Sequence, residues 1–255
     1  MECMSLLGFG ACAPDPEFRI SLPFPAFDID RDTIPPLLRR RTSQATQMAF
    51  SAATVAYRQA QRSPEALPSV FASVAGEIQT TDLLCTELVK PAGIISPSVF
   101  HNSVQNTAAG YWSITQQCQQ PTSALAAGCD TFAMALLEAW CQLTCLGGEL
   151  LLVCYDENWP KYLAPGQGQP AFACALVLAA GAVEDSILQI GLPHLGTEIF
   201  PPAWKSLVAS MPVLAAIPLL SLAAAGGETQ NIPVSPFATG WQVKISPSST
   251  MLGSS

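Results

Sequence analysis

Charged residues are scarce, at 12% of 255 positions, while hydrophobic residues make up 49%. A folded chain so poor in charge has more than one face to bury, in a large core or against another subunit. The charges are also unbalanced, 11 basic against 19 acidic, for a net charge of −8. Such a field repels phosphate, which argues against nucleic acid and anionic membrane as partners. Histidine is rarer still: only His101 and His194 occur. The nine cysteines, at positions 3, 12, 85, 118, 129, 141, 145, 154 and 174, include no C-x-x-C pair and no histidine at zinc-ligand spacing. No metal or other cofactor is therefore expected, and an odd, unpatterned set of thiols reads as reduced and cytoplasmic. Long hydrophobic runs are missing too. Val213–Ala225 offers 13 residues with Pro218 inside, short of the ~20 that a membrane span needs. Met1–Ala13 is apolar, but Glu2 stands where a secretory signal would carry basic residues. Both segments read as structural, and neither as an address.

What is present divides into stretches. Prolines 14, 16, 23, 25, 35 and 36 crowd the start of the chain with acids between them. That density forbids a helix and suggests an extended arm over residues 1–36. Arg39-Arg40-Arg41 follows, either a solvated turn or a docking spot for an acidic partner. Thr42 or Ser43 can cap the next helix, whose Ala45, Met48, Ala52, Val55 and Ala56 share one face and which Ser63-Pro64 ends. Pro68–Ala75 reads as a buried strand, because its only polar positions are serines. Residues 76–89 suggest a turn and a short helix bearing Leu83, Leu84 and Leu88. Leu150–Tyr155 and Ala171–Ala179 are two more apolar strands, with a loop over 156–168 between them. Strands that alternate with helices and are apolar throughout predict an α/β layered domain. After Gly181 the pattern weakens to a short helix over 204–211, a turn at Gly226-Gly227, a half-exposed strand over 241–245 and a disordered tail from Ser246.

The stretch that bears chemistry is Ser96–Tyr155. A small-residue run, Ser123–Gly128, leads into Cys129. Beyond it Phe132, Ala133, Leu136, Leu137, Trp140 and Leu143 recur at helical spacing until Gly147-Gly148. Cys129 thus sits where a strand or turn enters a helix, and the positive end of the helix dipole favours a thiolate there. Asp130 beside it acts the other way, since one negative charge opposes a second. Cys118, within Gln116–Gln120, reads as an exposed loop thiol. His101, Asn102 and Asn106 are the polar residues of a turn, where short side chains satisfy backbone groups. Tyr111 and Trp112 are amphipathic aromatics suited to an interface or a core.

Cys129–Ala139 (CDTFAMALLEA) resembles the active-site stretch of β-ketoacyl synthases, and Phe100–Ile114 (FHNSVQNTAAGYWSI) resembles their Asn-x-x-Ala-Gly segment before a helix. In its His-Asn-x-x-x-Asn-x-x-Ala-Gly-Tyr-Trp form the second segment is similar to the short chain-length factors of aryl polyene gene clusters. The resemblance covers about residues 20–180. It implies a thiolase-like layered fold: a first, N-terminal ketosynthase half over 37–181, a reduced and divergent C-terminal part over 182–245, and a tail over 246–255.

In that family a cysteine takes the acyl chain, and histidines from the second half of the fold promote loss of CO2. Here His101 lies upstream of Cys129, His194 lacks the Lys…Gly-His context, and the Asn-Phe-Gly-Phe-Gly-Gly loop is missing. Phe132 stands where active synthases commonly carry glycine. Cys129 is then either an acylated nucleophile or, as expected here, a small packing thiol at an ancestral position. In ketosynthase dimers the loop before the Asn-containing helix helps line the partner's acyl tunnel. By that resemblance Val99, Phe100, His101 and Val104, with Tyr111 and Trp112, are candidates for the tunnel and partner interface, and Asn102, Asn106 and Gly110 are structural residues of the motif. Arg39, Arg40 and Arg41 would meet an acyl carrier protein transiently. The implied function is a non-catalytic chain-length-factor subunit that pairs with a β-ketoacyl-ACP synthase in aryl polyene biosynthesis. The alternatives are a stand-alone condensing enzyme or acyltransferase using Cys129, and a module that holds an acylated carrier without chemistry.

Overall fold

The computed structural model describes residues 1–163, 170–237 and 240–248. In chain order its first half contains β1 (Met4–Cys12), α1 (Pro16–Ser21), α2 (Pro36–Arg39), α3 (Gln44–Gln59), β2 (Ser69–Ala72), α4 (Ile78–Leu88), α5 (Pro97–His101), α6 (Thr107–Thr115) and β3 (Thr122–Leu125). There follow α7 (Thr131–Leu146), β4 (Glu149–Asp156), β5 (Phe172–Ala180), β6 (Leu188–Ile190), β7 (His194–Leu195), α8 (Pro202–Ser210), α9 (Ile217–Ala225), β8 (Gln230–Pro233) and β9 (Trp241–Pro247). The strands make one sheet in the order β3-β2-β4-β5-β1-β6-β9-β7, with β8 also paired to β9. β2 runs parallel to β3 and β4, and every other pairing is antiparallel.

The continuous apolar runs of β2, β4 and β5 follow from burial on both faces, as in sheets covered by helices above and below. Successive side chains divide between two cores. Leu150, Leu152 and Cys154 of β4 and Phe172, Cys174, Leu176 and Leu178 of β5 face a core shared with α7 and α9. Their neighbours Leu151, Val153, Tyr155, Ala173, Ala175 and Val177 face a second core with α3 and α6. The result is an α/β/α layered domain, as the sequence predicts. Ser43 caps α3, accepting the Thr46 N–H at 3.0 Å.

The opening residues differ from the expected arm. Met4–Cys12 is a strand between β5 and β6, near the middle of the sheet. Its Gly8 and Gly10 lie so close to α3 that an added Cβ would come within 2.4 Å of the Ala56 carbonyl and 2.2 Å of the Ala52 carbonyl. Nor does the proline density exclude a helix. Pro16 occupies the first turn of α1, where its missing N–H costs nothing, and Asp15 accepts the Phe18 N–H at 2.8 Å. Asp156 belongs to β4, and residues 164–168 of the expected loop lie outside the described residues. Ser246 and Pro247, expected in the tail, belong to β9; residues 249–255 lie outside the described ones. Cys118 is buried, with its thiol 3.5 Å from the Leu67 carbonyl, so the expected exposed loop thiol is a core residue. Among the described residues no helix is long and apolar enough to cross a membrane.

Candidate functional site

Cys129 lies where the small-residue run directs the chain from sheet to helix. Gly128 takes φ +56°, a left-handed conformation that glycine adopts without a Cβ penalty, and a single tight turn over Gly128–Asp130 precedes α7. Thr131 locks this turn: its hydroxyl donates to the Gly128 carbonyl at 2.7 Å and accepts the Ala127 N–H at 3.0 Å. Asp130 accepts the Ser235 hydroxyl at 2.5 Å. Cys129 itself is half-buried. Both histidines are engaged elsewhere. His101 ends α5 and meets Tyr111 edge-on, with ring centroids 6.4 Å apart. His194, in β7, has Nδ1 3.0 Å from the Leu192 carbonyl and Nε2 2.9 Å from the Gln242 amide. The turn therefore presents a thiol with neither histidine hydrogen-bonded to it. Among the described residues no three histidine, cysteine or acidic side chains converge to hold a metal ion.

The second region is the turn between α5 and α6. Asn102 is buried and ties it together: its amide donates to the Arg41 carbonyl, and its Oδ1 accepts the Tyr111 hydroxyl at 2.8 Å. Its backbone carbonyl accepts the Thr107 hydroxyl at 3.0 Å. Asn106 precedes α6, yet its side chain caps nothing, contrary to the expected backbone role. A cavity of about 160 Å³ opens here, lined by His101, Val104, Thr107, Gly110, Tyr111 and Ile114 among others. Gly110 leaves room for it, because no atom lies within 4 Å of where its Cβ would stand.

Ile114, of the cavity lining, is 67% exposed, and Phe100 of α5 is 61% exposed. Leu83, Leu88, Val89 and Ile94, from α4 and the loop after it, are exposed apolar side chains as well. Val99 is half-buried. Trp112 must be removed from the interface set. It is fully buried in this chain's own core, with its ring centroid 5.2 Å from Phe50 and 6.1 Å from Phe71. Of the arginine run, Arg39 is paired with Asp32 at 3.1 Å, while Arg40 and Arg41 are exposed.

Sequence reasoning missed three buried carboxyls. Glu77, Asp156 and Glu157 are each at most 2% exposed. Burial pushes Asp156 and Glu157 up to about 7 and raises Glu77 as well. An acidic pair just past an apolar strand ordinarily marks the return to solvent, and nothing in the local pattern says otherwise.

Residues 16–194 match the family described as "Beta-ketoacyl synthase, N-terminal domain", and the chain belongs to that family. No curated protein matches it. Among solved structures it is similar to a ketosynthase in complex with its chain length factor from Xenorhabdus doucetiae, at 20% identity and TM-score 0.69, over 96% of this chain and 100% of that one. A type II polyketide acyl-carrier protein complex with its ketosynthase (AntDE:AntF) gives 12% identity and TM-score 0.71, over 97% and 100%. The ishigamide ketosynthase/chain length factor gives 17% and 0.59, over 89% and 74%. The shared fold is the thiolase-like one of ketosynthases.

Proposed function

We propose that this chain is a non-catalytic chain-length-factor subunit, paired in the cytoplasm with a catalytic β-ketoacyl-ACP synthase whose acyl tunnel it helps to shape. The observation that carries the reading is the exposed apolar surface around the α5–α6 turn. Val104 and Ile114 line a small cavity there, and Phe100 of α5 is exposed, in a chain short of charge. A free surface of this kind marks a protein interface. Val99, Phe100, His101 and Val104 are the side chains we assign to it, with Tyr111 buried beneath them in the cavity wall. Cys129, with neither histidine bonded to it, agrees with loss of the condensing chemistry. The product class we assign is an aryl polyene, on the Phe100–Ile114 motif. Arg40 and Arg41 remain free to meet an acidic carrier protein in passing.

The place of Cys129 at the start of a helix favours a second reading, acyl transfer on its thiol. One experiment separates the two. The chain is expressed alone and with a ketosynthase from the same gene cluster, then sized by chromatography with light scattering. A one-to-one complex whose activity survives Cys129→Ala is expected. A monodisperse homodimer that ignores the ketosynthase, or activity lost with Cys129, would overturn the subunit reading.

A further inference from the structure

Glu77, Asp156 and Glu157 lie where the end of β4, the loop after β2 and the first turns of α3 and α4 come together. Asp156 ends β4, and its Oδ1 accepts the Ser73 hydroxyl at 2.7 Å and the Val74 N–H at 2.9 Å, both in the loop after β2. Glu157 accepts the Gln79 N–H at 3.0 Å, in the first turn of α4. Glu77 precedes α4 and accepts the Thr46 hydroxyl of α3 at 2.7 Å. One oxygen of Asp156 (Oδ2) and one of Glu77 (Oε2) are buried with no partner at all.

No cation answers these acids. The four ion pairs among the described residues lie elsewhere, and no three ligating side chains converge for a metal. The other titratable groups facing the cluster are Tyr155 and Cys154 of β4, which bring no positive charge. A buried carboxylate without a cation is costly; the hydrogen bonds donated to these oxygens favour the charged form, but burial outweighs them, so the closed state favours a proton. The segment above the cluster is otherwise lightly held. Leu84 is the only buried side chain of α4. Its remaining ties are polar ones, such as Gln79 to the Asn158 carbonyl, Gln105 to the Ser73 carbonyl at 2.9 Å, and Tyr162 to Asp82. Gly76, at φ +57°, gives the loop a hinge.

We propose that the three carboxyls form a proton-held latch that clamps residues 73–101 against the sheet, and that their ionisation releases the segment. Closed, the latch keeps its protons; open, the carboxyls reach water and lose them, so rising pH favours opening. The latch is a property of this chain alone and does not rest on the partner reading.

Hydrogen–deuterium exchange on the full chain tests it, with rates corrected for the intrinsic pH dependence. Between pH 6 and pH 8.5 the opening of α4 should grow about ten-fold for each carboxyl titrated, while α7, which opens only with the whole fold, should stay the better protected helix throughout. Asp156→Asn with Glu157→Gln, which keeps the acceptor oxygens, should abolish most of that change. Protection of α4 that stays constant in the wild type, or that equals that of α7 so that the two open only together, would overturn the proposal; so would an undiminished pH effect in the double variant. If the double variant does not fold, the wild-type profile decides alone.

Discussion

Trp112 fills the space beneath α6 with the largest fully buried side chain of the protein, yet its indole N–H has no acceptor. Its worth is therefore packing: Phe50, Tyr57 and Phe71 surround it at 5.2 to 6.2 Å between ring centroids. Trp112→Ala should cost about 3–5 kcal/mol in urea unfolding. Trp112→Phe should lose much less, because it also removes the unpaired donor. Equal losses in the two variants would show that the N–H finds a partner. The acids give the second prediction at this scale. Asp156 and Glu157 titrate near 7 in the folded chain, well above the ordinary carboxylate range, because burial penalises their charge. The folded state therefore holds protons that the unfolded state has already released. That contribution to stability is full below the unfolded values, is lost as pH rises through about 7, and changes no further above it. Unfolding midpoints should fall from pH 5 to pH 8, and Asp156→Asn should flatten the curve. A midpoint that rises over the same interval would contradict the assignment.

Among the elements, β1 and α3 make the tightest approach. Two glycines on the strand meet Ala52 and Ala56 on the helix and Ala60 at its C-terminal cap, so backbone packs on backbone. Gly10→Ala puts a methyl 2.2 Å from the Ala52 carbonyl, which only movement of one element can relieve. It should destabilise the chain by about 1–3 kcal/mol, read as a lower thermal midpoint without loss of the folded signal. The same pair shows where the sequence was legible. α3, α7, β2, β4 and β5 announce themselves because burial of one helical face or both sheet faces writes a period into the residues. β1 does not: Gly8, Gly10 and Ser5 interrupt its apolar run, and the reason for the glycines is a helix some forty residues on. α1 was hidden by a true rule applied too widely, since proline bars a helix interior but not its first turn. At the site, the strand–turn–helix geometry at Cys129 could be read from small residues alone. The burial of Tyr111 and Trp112 could not, because nothing in a short helix's own pattern says what packs against its aromatics. The acid cluster was equally silent, its partners being contributed by α3 and α4.

For the whole molecule, low charge and an exposed apolar surface belong together if assembly covers that surface. Phe100→Asp and Val104→Asp put charge where a partner would have to bury it. Each should weaken the proposed one-to-one complex with a ketosynthase at least about ten-fold, by roughly 1.4 kcal/mol or more, while changing the chain's own unfolding free energy by no more than about 0.5 kcal/mol, as surface substitutions do. Unchanged assembly would move the interface away from α5 and α6. The seat of β1 has a different consequence, one concerning synthesis. Met4 pairs with Ala180 and Ile190, so this strand leaves the ribosome long before its neighbours exist. At roughly 5–20 residues per second the delay is about 10–35 s. Throughout that interval an apolar strand of 9 residues has two unpaired edges open to any other nascent chain. The yield of soluble protein should therefore depend on translation speed and on chaperones that hold the emerging segment, more than on the stability of the finished fold.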